Sequence, residues 1–442
     1  MQTLHIGLLG CGNVGSALVS LLEEQRQEIA TRTNLELQIT RIAVKSLEKD
    51  RGIAVNPRIL GTDASSVVED PDVDIVVELI GDIEPARNLL HVAIEAGKPV
   101  VTANKQLLAN HGVELFAAAD RVGVDLLFEA AVAGAIPLMR PLRESLTGEH
   151  IQRVMGIVNG TTNYILTQMT EQKTTYAEAL EEAQKLGYAE SDPTADIEGF
   201  DAGAKAAIIA SMTFGAVVVA SDVYHEGISK VTPHEIEIAR RFGYVVKPIV
   251  IIERIEEDTD TQILSTASKP DKLEIALRVH PVMLPKQHPL AAVRDNFNAV
   301  FVESTAIGEL MFYGLGAGGL PTAGAVLGDI IDASINLTRG RQPSRIGRLV
   351  QPVIHPIDAL ESAYLIALEA VDEPGVLASI ADVFGQNHVS IRSMEQHGVS
   401  AEAQIVFITH RCKERNVQTT LQRLRSLSVV HNLKSIMRVI DD

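Results

Sequence analysis

The first thirty residues constrain this chain more than any other stretch. TLHIGLLG, residues 3–10, is a short apolar run; Gly10, Gly12 and Gly15 follow at the spacing G-x-G-x-x-G, and SALVSLLEEQRQEI then carries the apolar period of a helix. Strand, glycine turn and helix in that order make the first half of a parallel βαβ unit. The glycines let the backbone turn tightly and approach a pyrophosphate, which rests on the unpaired N–H groups and dipole of the helix start. Gly10, Gly12, Asn13, Val14 and Gly15 are therefore assigned to a dinucleotide phosphate site. A glycine turn of this kind can be merely tight; the strand before it and the helix after it supply the context that favours a ligand.

The alternation continues. LELQITRIAV, RILGTD, DIVVELI, KPVVTAN and VDLLFEAA read as strands, with EPARNLLHVAIEAG and KQLLANHGVELFAAADRVG as helices between them. This pattern predicts an α/β chain whose residues 1–130 form a Rossmann-type, doubly wound parallel sheet. Over residues 131–304 the order changes: TTYAEALEEAQKLG and DAGAKAAIIASMTFGAVVVA are helical, KPIVIIERIEE and LEIALRVHPVML are strands. An α+β domain for substrate binding, catalysis and dimerisation is expected there. Residues 305–338 contain a Gly-rich loop leading into an apolar helix, expected to return to and complete the first domain. Residues 339–360 are rich in Pro and Arg and read as a linker, and 361–442 follow the order βαββαβ of a small ferredoxin-like module.

Charge and cysteine content exclude whole classes. With 57 acidic against 39 basic residues, the net charge of −18 argues against a nucleic-acid partner. Cys11 and Cys412 stand apart from any CxxC pair and cannot build a disulfide framework, so a reducing, cytoplasmic setting is expected. The N-terminal apolar run lacks a basic flank and a cleavage site, and no long uncharged apolar run suits a membrane span.

An NAD site wants an acid after the second strand to accept from the ribose hydroxyls. RIAVKSLEKDRG instead brings Lys45, with Lys49 and Arg51 behind it. Cations there suit a 2′-phosphate, which favours NADP with NAD as the alternative; read otherwise, they are ordinary surface lysines. PVVTANKQLLA places Thr102 and Lys105 where a strand ends and a helix begins. A cation at a helix start opposes the dipole, and the carboxyl ends of parallel strands are where ligands bind. Thr102 and Lys105 are assigned to the cofactor side, against a simply solvated lysine. Glu78 also ends a strand, and would serve equally as a cap.

GYAESDPTADIEGFDAGAK, residues 187–205, packs Glu190, Asp192, Asp196, Glu198 and Asp201 ahead of one lysine, and then runs into apolar AAIIASM. On a helix Asp201 and Lys205 stand at i and i+4 while nearly every other position is apolar or small, so the helix is buried. A buried ammonium is costly unless paired, and burial lowers its pKa toward the range useful for proton transfer. A structural buried ion pair is the other reading.

That segment resembles the signature of homoserine dehydrogenases, and TANK, NGTTNYIL, EAAVAGAIP, HPVMLP and GAGGLPTA occur in that family's order over about residues 1–335. The resemblance implies NAD(P)-dependent interconversion of L-aspartate 4-semialdehyde and L-homoserine, a step toward threonine, methionine and isoleucine. It makes Lys205 the proton donor, Asp201 its orienting carboxylate, and Lys105 a second proton-handling group between nicotinamide and substrate. It further implies Glu190 on the substrate ammonium, with Asp196 and Tyr188 nearby, and a sodium ion at Glu129, Val132, Gly134 and Ile136. Ala131 and Ala135 stand where Ser and Gly are frequent in that family.

DEPGVLASIADVF resembles the first strand–loop–helix of ACT modules, which implies an amino-acid effector, L-threonine, near Asp372, Pro374 and Gly375, and a homodimer or homotetramer. A dimerisation module without ligand is the alternative. Two other functions compete: an aspartate-semialdehyde dehydrogenase, which needs a cysteine nucleophile in the substrate domain that neither Cys11 nor Cys412 supplies, and a sensor without activity, which the intact acid–lysine set opposes.

Overall fold

The structure is a computed structural model that describes residues 1–256, 272–341, 346–399 and 402–440. Its first sheet is built from β1 (Gln2–Leu9), β2 (Leu35–Ala43), β3 (Leu60–Gly61), β4 (Ile75–Glu78), β5 (Val100–Thr102) and β6 (Leu126–Leu127). All are parallel, in the order β3-β2-β1-β4-β5-β6, so the chain winds outward both ways from β1. The helices between them are α1 (Asn13–Thr33), α2 (Ala64–Glu69), α3 (Ala86–Glu95) and α4 (Lys105–Val122). β4 and β5 are buried at every position, as strands covered on both faces must be.

The second layer holds β7 (Ile151–Ile157), α5 (Gly160–Glu171), α6 (Tyr176–Lys185), α7 (Thr194–Ile197), α8 (Phe200–Phe214), β8 (Tyr224–His225) and α9 (Pro233–Arg241). It continues through β9 (Tyr244–Arg254), β10 (Glu274–Pro285), β11 (Phe297–Ser304) and β12 (Gly308–Leu315). α10 (Gly319–Arg339) then crosses back: Ala323, Val326 and Ile330 share one core with Leu4, Ile6 and Leu8 of β1.

After β13 (Val353–Ile354) comes the C-terminal module: β14 (Glu361–Val371), α11 (Val376–Gln386), β15 (Ile391–Val399), β16 (Glu402–Thr409), β17 (Cys412–Lys413), α12 (Glu414–Ser426) and β18 (Val430–Val439). Its sheet order, β18-β14-β16-β15, does not stop at the module's edge. β18 pairs in parallel with β10 through Val282↔Arg438 and Met283↔Val439, so one sheet runs β12-β11-β7-β9-β10-β18-β14-β16-β15. The C-terminal module and the second layer are thus joined strand to strand.

Three details differ from expectation. α8 ends at Phe214, not Ala220, because Gly215 takes the left-handed conformation at its C-cap and the β-branched run Val217–Val219 has no helix to continue. FYGL belongs to β12 rather than to a loop. The stretch read as a linker is anchored over its second half, where Ala216 bridges to Val350 and β13 pairs with β10, while its residues 342–345 lie outside the described residues. Glu257, the last residue of the expected strand KPIVIIERIEE, lies outside the described residues.

Candidate active site

The glycine turn has the geometry a pyrophosphate needs. Gly10 is left-handed (φ 95°), and a Cβ on it would stand 2.6 Å from the Leu79 carbonyl oxygen; one on Gly15 would stand 2.5 Å from the Gly10 oxygen. Gly12 is the N-cap of α1, supplies no side-chain cap and faces open space. The first N–H groups of α1, from Asn13 and Val14 onward, thus meet no capping side chain. A second uncapped start lies beside it: Gly318 begins α10, and a Cβ on Gly319 would come within 3.1 Å of the Asn13 oxygen. Lys45 lies two residues past the end of β2 and is exposed.

Thr102 is fully buried, and its hydroxyl donates to Glu78 Oε2 (2.5 Å) while accepting from Asn104 N (3.0 Å). Glu78 also accepts from the N–H groups of Ile80 and Gly81. Its carboxyl is raised by burial against the pull of these bonds. The Thr102 and Glu78 side chains therefore tie the ends of β4 and β5 together, and any contact of Thr102 with a ligand is left to its backbone.

Lys105 opens α4, which Asn104 caps by accepting from Leu107 N (3.0 Å). Across the interface, α8 presents Asp201 and Lys205. Lys105 Nζ bonds Asp201 Oδ1, and Lys205 Nζ bonds Asp201 Oδ2 (2.7 Å) and the Val158 carbonyl (2.6 Å). Asn159, N-cap of α5, accepts from Thr162 N (2.9 Å) through Oδ1 and donates through Nδ2 to Asp201 Oδ2 (2.9 Å) and Asp196 Oδ1 (2.7 Å). Asp201 and Lys205 are buried, while the Lys105 side chain is 40% exposed, so the cluster opens to solvent on the Lys105 side.

The charges are unequal. Burial pushes the Lys205 ammonium below the ordinary lysine range; Asp201 pulls it back and Lys105 pushes it further down. Burial also opposes ionisation of Asp201, but Lys205 and Lys105 together outweigh it and hold that carboxyl well below the usual range. Asp196 is raised by burial, eased by Asn159 and worsened by the neighbouring Asp201 charge. One carboxylate orienting two ammonium groups, one of them sheltered and acidified, is equipped to give a proton to a developing alkoxide and to take it back.

The remaining assigned residues lie outside this cluster. Tyr188 packs edge-on against Tyr164 (5.1 Å between centroids), and its carbonyl accepts from Thr161, two residues after Asn159. Glu190 is exposed on the loop before α7. Asp192, before α7, accepts from Thr194 N and Oγ1. The Glu129 side chain is occupied, accepting from the N–H groups of Leu138, Met139 and Arg140. Val132, Gly134 and Ile136 follow in a turn folded by left-handed Ala133 (φ 57°) and Gly134 (φ 55°). No cluster of three or more His, Cys, Asp or Glu side chains suited to a metal occurs among the described residues. Asp372, Pro374 and Gly375 form an exposed loop before α11, with Gly375 left-handed at its N-cap.

The sequence reading missed Asn159 and Asn104. The available signal was an Asn directly before a helix, the preferred N-cap, in NGTTNYIL and TANK.

Comparison with known proteins places this arrangement. Family models match at residues 10–129 (homoserine dehydrogenase, NAD binding domain), 137–331 (homoserine dehydrogenase) and 364–429 (ACT domain). A homoserine dehydrogenase of Mycobacterium tuberculosis is 45% identical over 444 residues, covering 99% of this chain and 98% of the relative. The crystal structure of a homoserine dehydrogenase from Thiobacillus denitrificans superposes with a TM-score of 0.90 at 39% identity, over 99% of this chain and 98% of that one. A hyperthermophilic archaeal homoserine dehydrogenase mutant, solved in complex with NADPH, matches 76% of this chain and 98% of its own at 28% identity and a TM-score of 0.61.

Proposed function

This chain belongs to the homoserine dehydrogenase family, and from that premise we propose which of its residues carry the reaction. The activity is the interconversion of L-aspartate 4-semialdehyde and L-homoserine with a nicotinamide cofactor. When bound, the cofactor supplies or removes the hydride at C4. Gly10, Gly12, Asn13, Val14 and Gly15 hold its pyrophosphate on the start of α1, and Thr102 and Lys105 flank its nicotinamide end. Lys45 answers a 2′-phosphate, which makes NADP the preferred form; the exposed position of Lys45 just past the end of β2 supports this, as does the NADPH held by the archaeal relative.

In the reductive direction Lys205 donates its proton to the aldehyde oxygen as C4 becomes tetrahedral; in the oxidative direction it receives the proton from the hydroxyl. Asp201 fixes the Lys205 and Lys105 ammonium groups on one side of the substrate, and Lys105, on the open side, is a second group able to handle the same proton. Glu190 holds the substrate ammonium with Asp196 and Tyr188 beside it. Orientation carries most of the acceleration, with acid–base help from the lysine. The observation that carries the reading is the convergence of Lys105, Lys205 and Asn159 on the single carboxylate of Asp201. We expect Lys205→Ala to lower kcat by about a hundredfold or more while NADPH still binds, as measured by fluorescence titration. A variant turning over near the wild-type rate would remove Lys205 from the chemistry.

The backbone carbonyls of Glu129, Val132, Gly134 and Ile136 are assigned to a sodium ion, as oxygen donors suit a hard cation. The ACT match supports feedback by an amino acid, L-threonine, at Asp372, Pro374 and Gly375. That loop lies open on one chain, so a second module would have to cover it, in a homodimer or homotetramer. The half-exposed stripe Met311, Tyr313 and Leu315 on edge strand β12 also supports self-association. Both cysteines are buried and free, which suits the reducing cytoplasm.

A further inference from the structure

Glu78 ends β4 and is fully buried, in a strand otherwise made of Ile and Val. β4 and β5 already pair through their backbones, with Glu78 opposite Thr102, so the sheet itself does not need this side chain. A carboxyl inside an apolar layer is costly unless its oxygens are satisfied. Here the two oxygens face different segments, and that division is what the side chain adds.

One oxygen holds the loop after β4. Oε1 accepts from Ile80 N (2.6 Å) and Gly81 N (3.2 Å). This loop walls the crevice between β1 and β4, where the strand order reverses and where dinucleotides bind in open parallel sheets. It also lies against the glycine turn: Leu79 N donates to Leu9 O (2.7 Å), and a Cβ on Gly10 would stand 3.2 Å from the Ile80 nitrogen.

The other oxygen holds the start of α4. Oε2 accepts from the Thr102 hydroxyl, which in turn accepts from Asn104 N. Asn104 caps α4 through Oδ1 and reaches back through Nδ2 to the Asp82 carbonyl (2.8 Å). Lys105 is the next residue, and its ammonium meets Asp201 on α8. Loop 79–82 and the first turn of α4 are thus bound to each other through one carboxyl and one amide, both buried. The Lys105 side chain is long and partly exposed, so where its Cα stands decides what its ammonium reaches.

We propose that Glu78 is a positioning residue for Lys105, setting its place relative to the bound cofactor by joining the crevice wall to the first turn of α4. This rests on the reading that Lys105 handles the transferred proton.

A double-mutant cycle tests it, with kcat/KM for homoserine oxidation measured at saturating NADP and NADPH binding followed by fluorescence. Glu78→Gln keeps the volume and one acceptor oxygen but replaces the other with a donor. It lowers kcat/KM about tenfold in the wild-type background and by no more than about twofold in Lys105→Met. The Kd for NADPH stays within about threefold. Equal losses in the two backgrounds overturn the proposal, because a general loosening of the fold does not depend on the lysine. A wild-type rate in Glu78→Gln, or a loss confined to NADPH binding, overturns it too. Asn104→Ser keeps a cap for α4 but loses the donor to Asp82, cutting the same link at its other end. It takes the place of Glu78→Gln if that variant does not fold, with the same dependence on Lys105 expected. Near wild-type turnover in Lys105→Met alone removes Lys105 from the chemistry and the positioning role with it, whereas equal losses refute only the part of Glu78.

Discussion

Around Asp201 two ammonium groups share one carboxylate, whereas around Arg438 two carboxylates share one guanidinium. Both clusters are centred on a buried group, and both join elements distant in sequence: α4 to α8 in the first, β18 to α12 and the 226–230 loop in the second. Burial works against the cation in each, yet the outcomes differ in sign. Arg438 is raised, because Glu226 and Glu414 together overcome desolvation, while Lys205 is lowered, because burial and the Lys105 charge together outweigh the pull of Asp201. Tyr364 and Tyr224 add hydroxyl donors to Glu414 and Glu226, completing the second cluster. The first keeps a solvent-facing side at Lys105. A buried cation with surplus anions is a fixed joint; one with a deficit of anions is a proton donor held in place.

The contrast predicts different damage from mirror-image substitutions. Arg438→Met leaves the buried Glu414 and the half-exposed Glu226 without a cation and should cost about 3 kcal/mol of stability, read from urea midpoints. A loss under about 1 kcal/mol would mean that the β10–β18 seam does not depend on this ion pair. Asp201→Asn leaves two ammonium groups without an anion, but Lys105 can turn to water, so a smaller loss of about 1–3 kcal/mol is expected. Its larger signature is in the pH profile. Proton donation requires protonated Lys205, so the reductive rate falls as pH rises through the Lys205 pKa in the folded enzyme. Asp201 raises that pKa; removing it moves the alkaline limb to lower pH. An unmoved limb would assign it to another group.

Two weaker tests separate ligand contacts from joints. Lys45→Ala should raise KM for NADP about tenfold, the loss of one charge-assisted contact of about 1.4 kcal/mol, with KM for NAD unchanged. Equal effects on both cofactors would remove Lys45 from 2′-phosphate recognition. Tyr224→Phe deletes one hydroxyl from the saturated cluster and should cost about 1 kcal/mol in denaturation while leaving the pH profile of turnover in place.

Much of this was legible because it is local. The strand–glycine–helix opening, the i, i+4 pairing of Asp201 with Lys205 and the βαββαβ order of the last module each follow from residues a few positions apart. α2 was not legible: at six residues it is too short for an apolar period, and only the Asp63 cap marks its start. The end of α8 was misread because an apolar run continues past Gly215, and apolarity alone does not distinguish a buried helix from a buried extended segment.

The sequence by itself determined which residues could do chemistry, since a lysine inside an apolar helix must be paired, and an i+4 aspartate is the partner its own helix provides. It could not determine that Lys105, 96 positions from Asp201, would take the other oxygen of that carboxylate, nor that Asn159 would bridge Asp196 and Asp201. Those contacts are made between elements, and their partners are set by sheet order and helix packing rather than by spacing along the chain. The same holds for the β10–β18 junction: both strands were readable, but the pairing of two edges is a choice made among all edges the fold leaves open, and only the assembled tertiary structure makes it.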